Sequence, residues 1–140
     1  MRQLSVPGGT VAHPEPPKDA RAMRRAVLGD AYVDAAVRAA RPAVAEFQDY
    51  ITETAWGVWA RGGALRPRDR SLLVLAMTAA LGRMEEFRTH ATAAPRAGVT
   101  RQELDELPFQ IAAYCGMPAG NAARRCLTET EAARTGGDEG

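Results

Sequence analysis

The chain has 140 residues, a length that fits one domain, and its hydrophobic (46%) and charged (25%) fractions are ordinary for a globular protein. A net charge of +1 gives no electrostatic reason to expect nucleic acid or an anionic membrane as a partner. The longest apolar run, within Leu72–Leu81, is too short to span a bilayer, and the N-terminus lacks the apolar core of a signal peptide. We therefore predict a soluble, cytoplasmic domain.

Proline and glycine mark both ends of the chain. The segment 1–18 contains Pro7, Gly8 and three prolines between residues 14 and 17, with little periodic apolar content. The C-terminal residues 135–140 are rich in glycine and charge. We expect both segments to be flexible, and we expect the folded part to extend from 19 to 134.

The first half of the folded part predicts three helices. Asp19 and Asp30 can each cap a short helix, and Pro42 suits the first turn of a third. The third helix has apolar residues at three- and four-residue spacing, which is typical of a core-facing stripe. They are Val44, Phe47, Ile51, Ala55 and Trp59.

The fourth predicted helix begins at Pro67 and continues through Leu81, and it is apolar on nearly all sides. Such a helix has to be covered all round. A small domain of short helices buries only a limited share of its surface. We therefore predict that the chain works as a homo-oligomer.

Three more helices are predicted after Gly82, so the fold class is all-α. The fifth runs from about Arg83 to Ala94 and is ended by Pro95 and Gly98. Thr100 and Glu103 form a capping box before the sixth. A break at residues 115–118 separates the sixth helix from the last, which ends near Ala133. The sixth helix carries Leu104, Leu107, Ile111 and Tyr114.

His90 is the most promising residue for chemistry, because the other histidine, His13, lies in the segment that we expect to be flexible. Glu86 precedes His90 by four residues, so the two side chains share one face of a helix. A carboxylate beside an imidazole can raise the imidazole pKa and orient the ring for acid–base work. The alternative is an ordinary surface pair, and spacing alone leaves both interpretations open.

Several other side chains can support a site around His90. Arginine can hold a carboxylate through two hydrogen bonds, and Arg70 is placed for this because it opens the apolar fourth helix. Trp56 and Trp59 suit a core or an interface. The break at Tyr114 and Cys115 can line a pocket.

Cys115 and Cys126 have no disulfide or zinc spacing and are expected to be reduced. No nucleotide motif or multi-histidine metal site is present.

Seven segments, in order and with matching spacing, resemble the carboxymuconolactone decarboxylase family. The segments are Arg24–Asp34, Glu46–Gln48, Thr54–Gly57, Arg68–Leu73, Ala79–Arg83, Ala97–Thr100 and Ala113–Ala119. The resemblance implies the all-helical alkylhydroperoxidase D-like fold, found as trimers or hexamers with sites at subunit interfaces. The peroxidase branch of that superfamily uses a CxxC pair, which residues 83–90 lack, so thiol peroxidase chemistry is not expected.

The resemblance also implies an activity: decarboxylation of 4-carboxymuconolactone to β-ketoadipate enol-lactone in the catabolism of aromatic compounds, without cofactor or metal. His90 and Glu86 match the family's histidine and glutamate. In this interpretation His90 delivers a proton and Glu86 orients it. Arg70 anchors the substrate carboxylates, with Arg83 as second choice. Trp56 and the Tyr114–Pro118 break, including Cys115, form the part of the site lining that excludes water.

Two departures from the family pattern keep other functions open. Glu85 stands where the family commonly has a histidine, and Pro95 where a leucine is usual. The first departure favours a related enzyme that decarboxylates, dehydrates or isomerises another cyclic acid or lactone in a biosynthetic pathway. A non-catalytic oligomeric scaffold is a second alternative, against which the charged cluster around His90 argues. A helix-turn-helix DNA-binding protein is disfavoured by the near-neutral charge.

Overall fold

The computed structural model describes residues 14–137, and everything regular in that range is helical, which confirms the all-α prediction. The elements are α1 (Ala20–Leu28), α2 (Asp30–Ala39), α3 (Pro42–Ile51), a π-helical turn (Thr52–Trp56), α4 (Gly57–Ala60), α5 (Pro67–Ala80), α6 (Met84–Ala97), α7 (Arg101–Cys115) and α8 (Met117–Gly136). No helix in the described range is long and apolar enough to cross a membrane.

The structure describes only part of the two terminal segments that we expect to be flexible. Most of the segment 1–18, including His13, and the last three residues of the predicted tail lie outside the described residues. Residues 14–18 precede α1 without forming a helix. At the other end, α8 continues to Gly136, a few residues beyond the end near Ala133 that the sequence predicts.

Local capping signals place most helix starts where the sequence predicts them. The Asp19 carboxylate accepts the backbone N–H of Ala22 at 2.9 Å and caps α1. Thr100 and Glu103 form the predicted capping box at the start of α7, with bonds of 2.9 and 3.2 Å. The prediction for α2 is wrong by one residue. Gly29, at φ 89°, is the cap, and Asp30 is the first helical residue.

Helix α6 does not end at Pro95 as predicted. The proline lies inside the last turn, and the helix continues to Ala97, where Gly98 at φ 99° terminates it. Proline removes one backbone hydrogen bond, but the neighbouring Ala93 and Ala94 are buried in the two cores. Tertiary packing of this turn therefore outweighs the local cost of the proline.

The larger hydrophobic core joins α5, α6, α7 and α8. Its centre contains Leu75, Phe87, Ile111 and Ala123, all of them buried. Helices α7 and α8 approach closely at Gly120, where an added Cβ would stand 2.6 Å from the Cβ of Ala112. This close approach requires glycine.

A second, smaller core lies where α1 meets the π-helical turn, α4 and α6. It contains Met23, Val27, Trp56, Trp59 and Ala93, all buried. A π-helical turn adds one residue to a helical turn, so the helix beyond it is rotated about its axis. The rotation directs Trp56 and Trp59 into this core.

The predicted apolar stripe of α3 forms a helix but does not face the core. No residue of α3 is buried, and the side chain of Phe47 is 60% exposed. Of the predicted stripe only Trp59, beyond the π-helical turn, is buried, and the buried residue at the junction is the polar Thr52. A regular 3.6-residue period cannot be extended across the wider turn, which is why the prediction for this face is wrong.

Helix α5 is apolar all round, as predicted, yet the chain covers only one of its faces. Leu75 and Ala79 are buried, whereas Leu73, Met77 and Leu81 are exposed. Met77 keeps 58% of its surface accessible. The uncovered face agrees with the reasoning behind the oligomer prediction, although the single chain does not show an oligomer.

Candidate active site

His90 lies on α6 with its ring against two indoles. The ring centroid of His90 is 6.0 Å from that of Trp56 and 6.1 Å from that of Trp59, with interplanar angles of 24° and 21°. The two indoles are themselves 4.9 Å apart. The imidazole is therefore held by aromatic surfaces from a different part of the chain.

The π-helical turn fixes the positions of these indoles. Thr52, its first residue, is buried, and its hydroxyl donates to the Gln48 carbonyl at 2.7 Å. The same hydroxyl accepts a hydrogen bond of 3.1 Å from the Arg24 guanidinium on α1. Hydrogen bonds of the Thr52 side chain to α3 and α1 thus hold the turn that carries Trp56.

Burial dominates the electrostatics of His90. Desolvation lowers the pKa of His90 below its ordinary value, and the charge of Glu86 opposes this shift without overcoming it. Nδ1 of His90 is fully buried and has no hydrogen-bond partner among residues 14–137. An unpaired buried polar atom is costly, and positions of this kind are enriched at functional sites.

Glu86 does not orient His90 in the way that the spacing predicts. The carboxylate is exposed, and in the part of the chain that the structure describes it makes neither a hydrogen bond nor an ion pair with His90. The charge of Glu86 does raise the pKa of His90, as the spacing suggests, but burial lowers it by more, so the net shift is downward. The two tryptophans, not the carboxylate, contact the ring.

Arg70 is held close to the interior, as predicted. Its Nη2 donates to the Gly62 carbonyl at 3.0 Å, just beyond α4, while its Nε is buried without a partner among the described residues. Val74, one helical turn after Arg70, packs against the core that contains Trp56 and Trp59. Arg70 therefore lies on the α5 face that borders the smaller core.

The remaining predicted site residues are not brought together with His90 inside one chain. Arg83 is exposed at the start of α6, on the same helical face as Glu86. Tyr114 is 82% exposed and Cys115 is exposed, both at the end of α7. The buried stripe of α7 consists of Leu104, Leu107 and Ile111 and does not include Tyr114.

Both cysteines are free thiols. Cys115 is exposed, while Cys126 is buried in the larger core, where desolvation raises the pKa of its thiol. No group of three His, Cys, Asp or Glu side chains that could hold a metal ion occurs within residues 14–137. Cys126 lies apart from the smaller core that contains Trp56 and Trp59, and Cys115 lies at the exposed end of α7.

Trp59 is the site residue that the sequence analysis did not place. The available signal was its spacing of three from Trp56, which puts both indoles on one side of a helix. That spacing is equally typical of a core stripe. Only the contact with His90, which lies far away in the sequence, distinguishes the two.

The comparisons with known proteins indicate one protein family. Residues 45–129 match the model of the carboxymuconolactone decarboxylase family. The chain is 40% identical over 108 residues to the 4-carboxymuconolactone decarboxylase of Acinetobacter baylyi, covering 76% of this chain and 80% of that protein. It is also 41% identical over 98 residues to the nitrosuccinic acid decarboxylase of Metarhizium robertsii, covering 69% and 68%.

Proposed function

The chain belongs to the carboxymuconolactone decarboxylase family, and we propose that it is a cofactor-independent carboxy-lyase whose substrate is 4-carboxymuconolactone. Among the structural observations, one supports a catalytic centre most directly. His90 offers a buried, unpaired Nδ1 beside the faces of Trp56 and Trp59. The identity with a decarboxylase of that substrate supports the choice of substrate.

The reaction needs an electron acceptor, which the substrate itself supplies. The bond between the ring carbon and the departing carboxylate breaks, carbon dioxide leaves, and the electron pair enters the conjugated lactone carbonyl as a dienolate. A new C–H bond then forms on that dienolate. The protein has to bind the carboxylates, stabilise the dienolate and deliver one proton to carbon.

His90 is our proton donor. Because burial lowers its pKa, the protonated imidazole is a stronger acid than free imidazolium. A carboxylated substrate brings negative charge next to the ring and favours proton uptake on binding. The neighbouring indole faces also attract a cation at about 6 Å. After the transfer, His90 regains its proton from water.

Arg70 is our anchor for a substrate carboxylate. Its guanidinium keeps donors beyond the bond to Gly62, and it lies on the face of α5 that borders the smaller core, which contains both tryptophans. Glu86 acts through its charge, which favours the protonated form of His90. Arg83 is the second choice for anchoring, from the same face of α6.

We also propose that the active form is a homo-oligomer. The exposed face of α5 formed by Leu73, Met77 and Leu81 is the surface that a neighbouring copy would cover. Tyr114 and Cys115, which lie apart from His90 in their own chain, would line a substrate site only from such a copy. Light scattering on the purified chain tests this proposal, and a monomer at micromolar concentration would contradict it.

A second substrate class is favoured by a specific residue. Glu85 occupies the position where the family commonly has a histidine, and it neighbours the proposed active-site residues on α6. The relative from Metarhizium robertsii is a decarboxylase of nitrosuccinic acid. A decarboxylase of another small acid is therefore the alternative.

The first experiment records ultraviolet absorbance and carbon dioxide release together, with 4-carboxymuconolactone generated in place from β-carboxymuconate. Turnover with matching carbon dioxide supports the proposal. If the folded protein does not turn this lactone over but releases carbon dioxide from nitrosuccinate, the alternative replaces it. Release of carbon dioxide from neither acid would contradict both.

His90 is tested by substitution in the same assay. We expect His90→Ala to keep the fold and to lose activity by at least about 10²-fold, the lower end of what general acid catalysis contributes. Thr89→Ala is the matched control, because the Thr89 hydroxyl bonds only the Glu85 carbonyl of its own helix. Full activity in His90→Ala, or an equal loss in the control, would remove His90 from the mechanism.

A further inference from the structure

A cavity of about 260 Å³ lies between α1, α2 and α3, and none of the proposed active-site residues lines it. Its apolar lining consists of Val33 and Val37 on α2 and Ala45 on α3. Its polar lining, which we call the polar wall, includes Arg24 on α1 together with Gln48 and Thr52. A cavity with both apolar and polar lining suits an amphipathic small molecule.

Two of the three arginines at the cavity are already neutralised. Each of them is paired with two carboxylates, and both are largely on the solvent side. The pairs are Arg21 with Asp49 (3.0 Å) and Glu53 (3.6 Å), and Arg25 with Asp30 (3.1 Å) and Asp34 (2.8 Å). Together these two arginines and their four carboxylates carry a net charge of −2, and because all six side chains are 41–78% exposed, this charge is screened by solvent.

Arg24 differs from both. It is partly buried, and within residues 14–137 no carboxylate oxygen lies within 4.0 Å of its guanidinium. Its one side-chain bond goes to the Thr52 hydroxyl, at 3.1 Å. A guanidinium has five N–H donors, so most of its donors are free for a ligand. Arg24 is therefore the arginine of this cavity whose guanidinium has no direct carboxylate partner within residues 14–137.

The groups around Arg24 hold it in place and add a donor. The Thr52 hydroxyl is fixed by its own bond to the Gln48 carbonyl, at 2.7 Å. The Gln48 amide donates one N–H to the Ala36 carbonyl at 3.3 Å, which leaves its second N–H free. This bond network links α1, α2 and α3 and defines the shape of the polar wall before any ligand binds.

We propose that this cavity is a second ligand site, separate from the active site, which binds a small monocarboxylate with a short apolar chain. The carboxylate accepts hydrogen bonds from Arg24 and Gln48, because guanidinium and carboxylate match in a two-bond geometry. The chain packs on Val33, Val37 and Ala45. The volume suits an acid of about four to six carbon atoms, below the usual range for larger ligands.

The test uses pentanoate as the probe and nitrogen–proton correlation spectra of the full chain. We expect saturable shifts of the Gln48 and Thr52 backbone amides with pentanoate and none with pentanamide, which has the same shape without the charge. Arg24→Gln should weaken binding by about tenfold or more, since a charged hydrogen-bonded pair is lost. Arg21→Gln is the matched control on the same helix and should change affinity by less than about threefold.

Three results would each overturn the proposal. The first is equal binding of pentanoate and pentanamide by the unmodified chain, a comparison that needs no variant to fold. The second is unchanged pentanoate affinity in Arg24→Gln, with its fold verified by circular dichroism. The third is a set of shifts centred on Trp56, Trp59 and His90 that disappears in Arg70→Ala, which would place the probe in the active site instead.

Discussion

The apolar residues of α3, in the first half of the molecule, and those of α5 to α8, in the second half, are placed in opposite ways. In α5 to α8 the inward stripes meet one another, and Phe87 and Leu75 have no exposed surface. In α3 the apolar residues point outward, and no residue of the helix is buried. Both stripes predict helices equally well. The difference teaches that a helical period identifies a helix but does not identify the surface that covers it.

The π-helical turn is the physical origin of this difference. It lies between α3 and α4 and rotates the chain, so that Trp56 and Trp59 are buried while Phe47 is exposed. The rotation directs aromatic surface to His90 and away from α3. The active site and the exposed face of α3 are thus two results of one local departure from the α-helix.

The largest expected effect tests this comparison by replacing one phenylalanine in each half with alanine. Phe87→Ala should lower the free energy of unfolding by about 3–5 kcal/mol, because it empties a fully buried position. Phe47→Ala should change it by less than about 0.5 kcal/mol, because the ring is mostly exposed. Urea unfolding of both variants makes the measurement. Equal losses would break the comparison and would show that α3 is covered in solution.

A smaller effect comes from adding one methyl group to a glycine in each half. Gly120→Ala should cost about 1–3 kcal/mol, because the new Cβ would stand 2.6 Å from the Cβ of Ala112 on α7. Gly57→Ala meets nothing within 4 Å at helical φ and ψ, and should gain about 0.5–1 kcal/mol. Thermal unfolding monitored by circular dichroism reports both signs. A stabilised Gly120→Ala would mean that α7 and α8 are less closely packed.

The smallest expected effect is on the pH dependence of stability, and it comes from His90, whose ring lies against Trp56 and Trp59 of the first half. Its pKa is lowered in the folded state, so at pH values between the folded pKa and about 6.5 the unfolded chain binds more protons. Stability is then complete above about pH 6.5 and is lost as the pH falls through the folded pKa. Urea unfolding at several pH values should show this slope and a flatter one in His90→Phe. His13→Asn is the matched control, and identical slopes in His90→Phe and the unmodified chain would contradict the assignment.

The sequence predicts those parts of the fold that depend on neighbouring residues. The caps at Asp19 and Thr100 and the proline at the start of α5 act within one turn, so their structural effects are readable locally. The end of α6 is different. There, the burial of Ala93 and Ala94 against distant helices keeps the turn intact despite Pro95.

The same distinction applies to the site. His90 could be identified because histidine is rare in this chain, and Arg70 because a charged residue opens an apolar helix. The role of Trp59 and the lack of a bond between Glu86 and His90 could not be identified in this way. Both depend on how the π-helical turn packs against α6. A spacing of four residues allows a contact between two side chains. Whether the contact forms depends on the solvent around them, and here Glu86 faces the solvent.

Both tryptophans of the sequence lie against His90, which has a practical consequence. The intrinsic fluorescence of this chain has no source outside the site, because indole emission dominates when excitation is near 295 nm. Emission intensity therefore reports directly on the charge of the adjacent imidazole and on any molecule that enters beside it. The protein contains its own optical probe of occupancy, and no dye or label has to be attached.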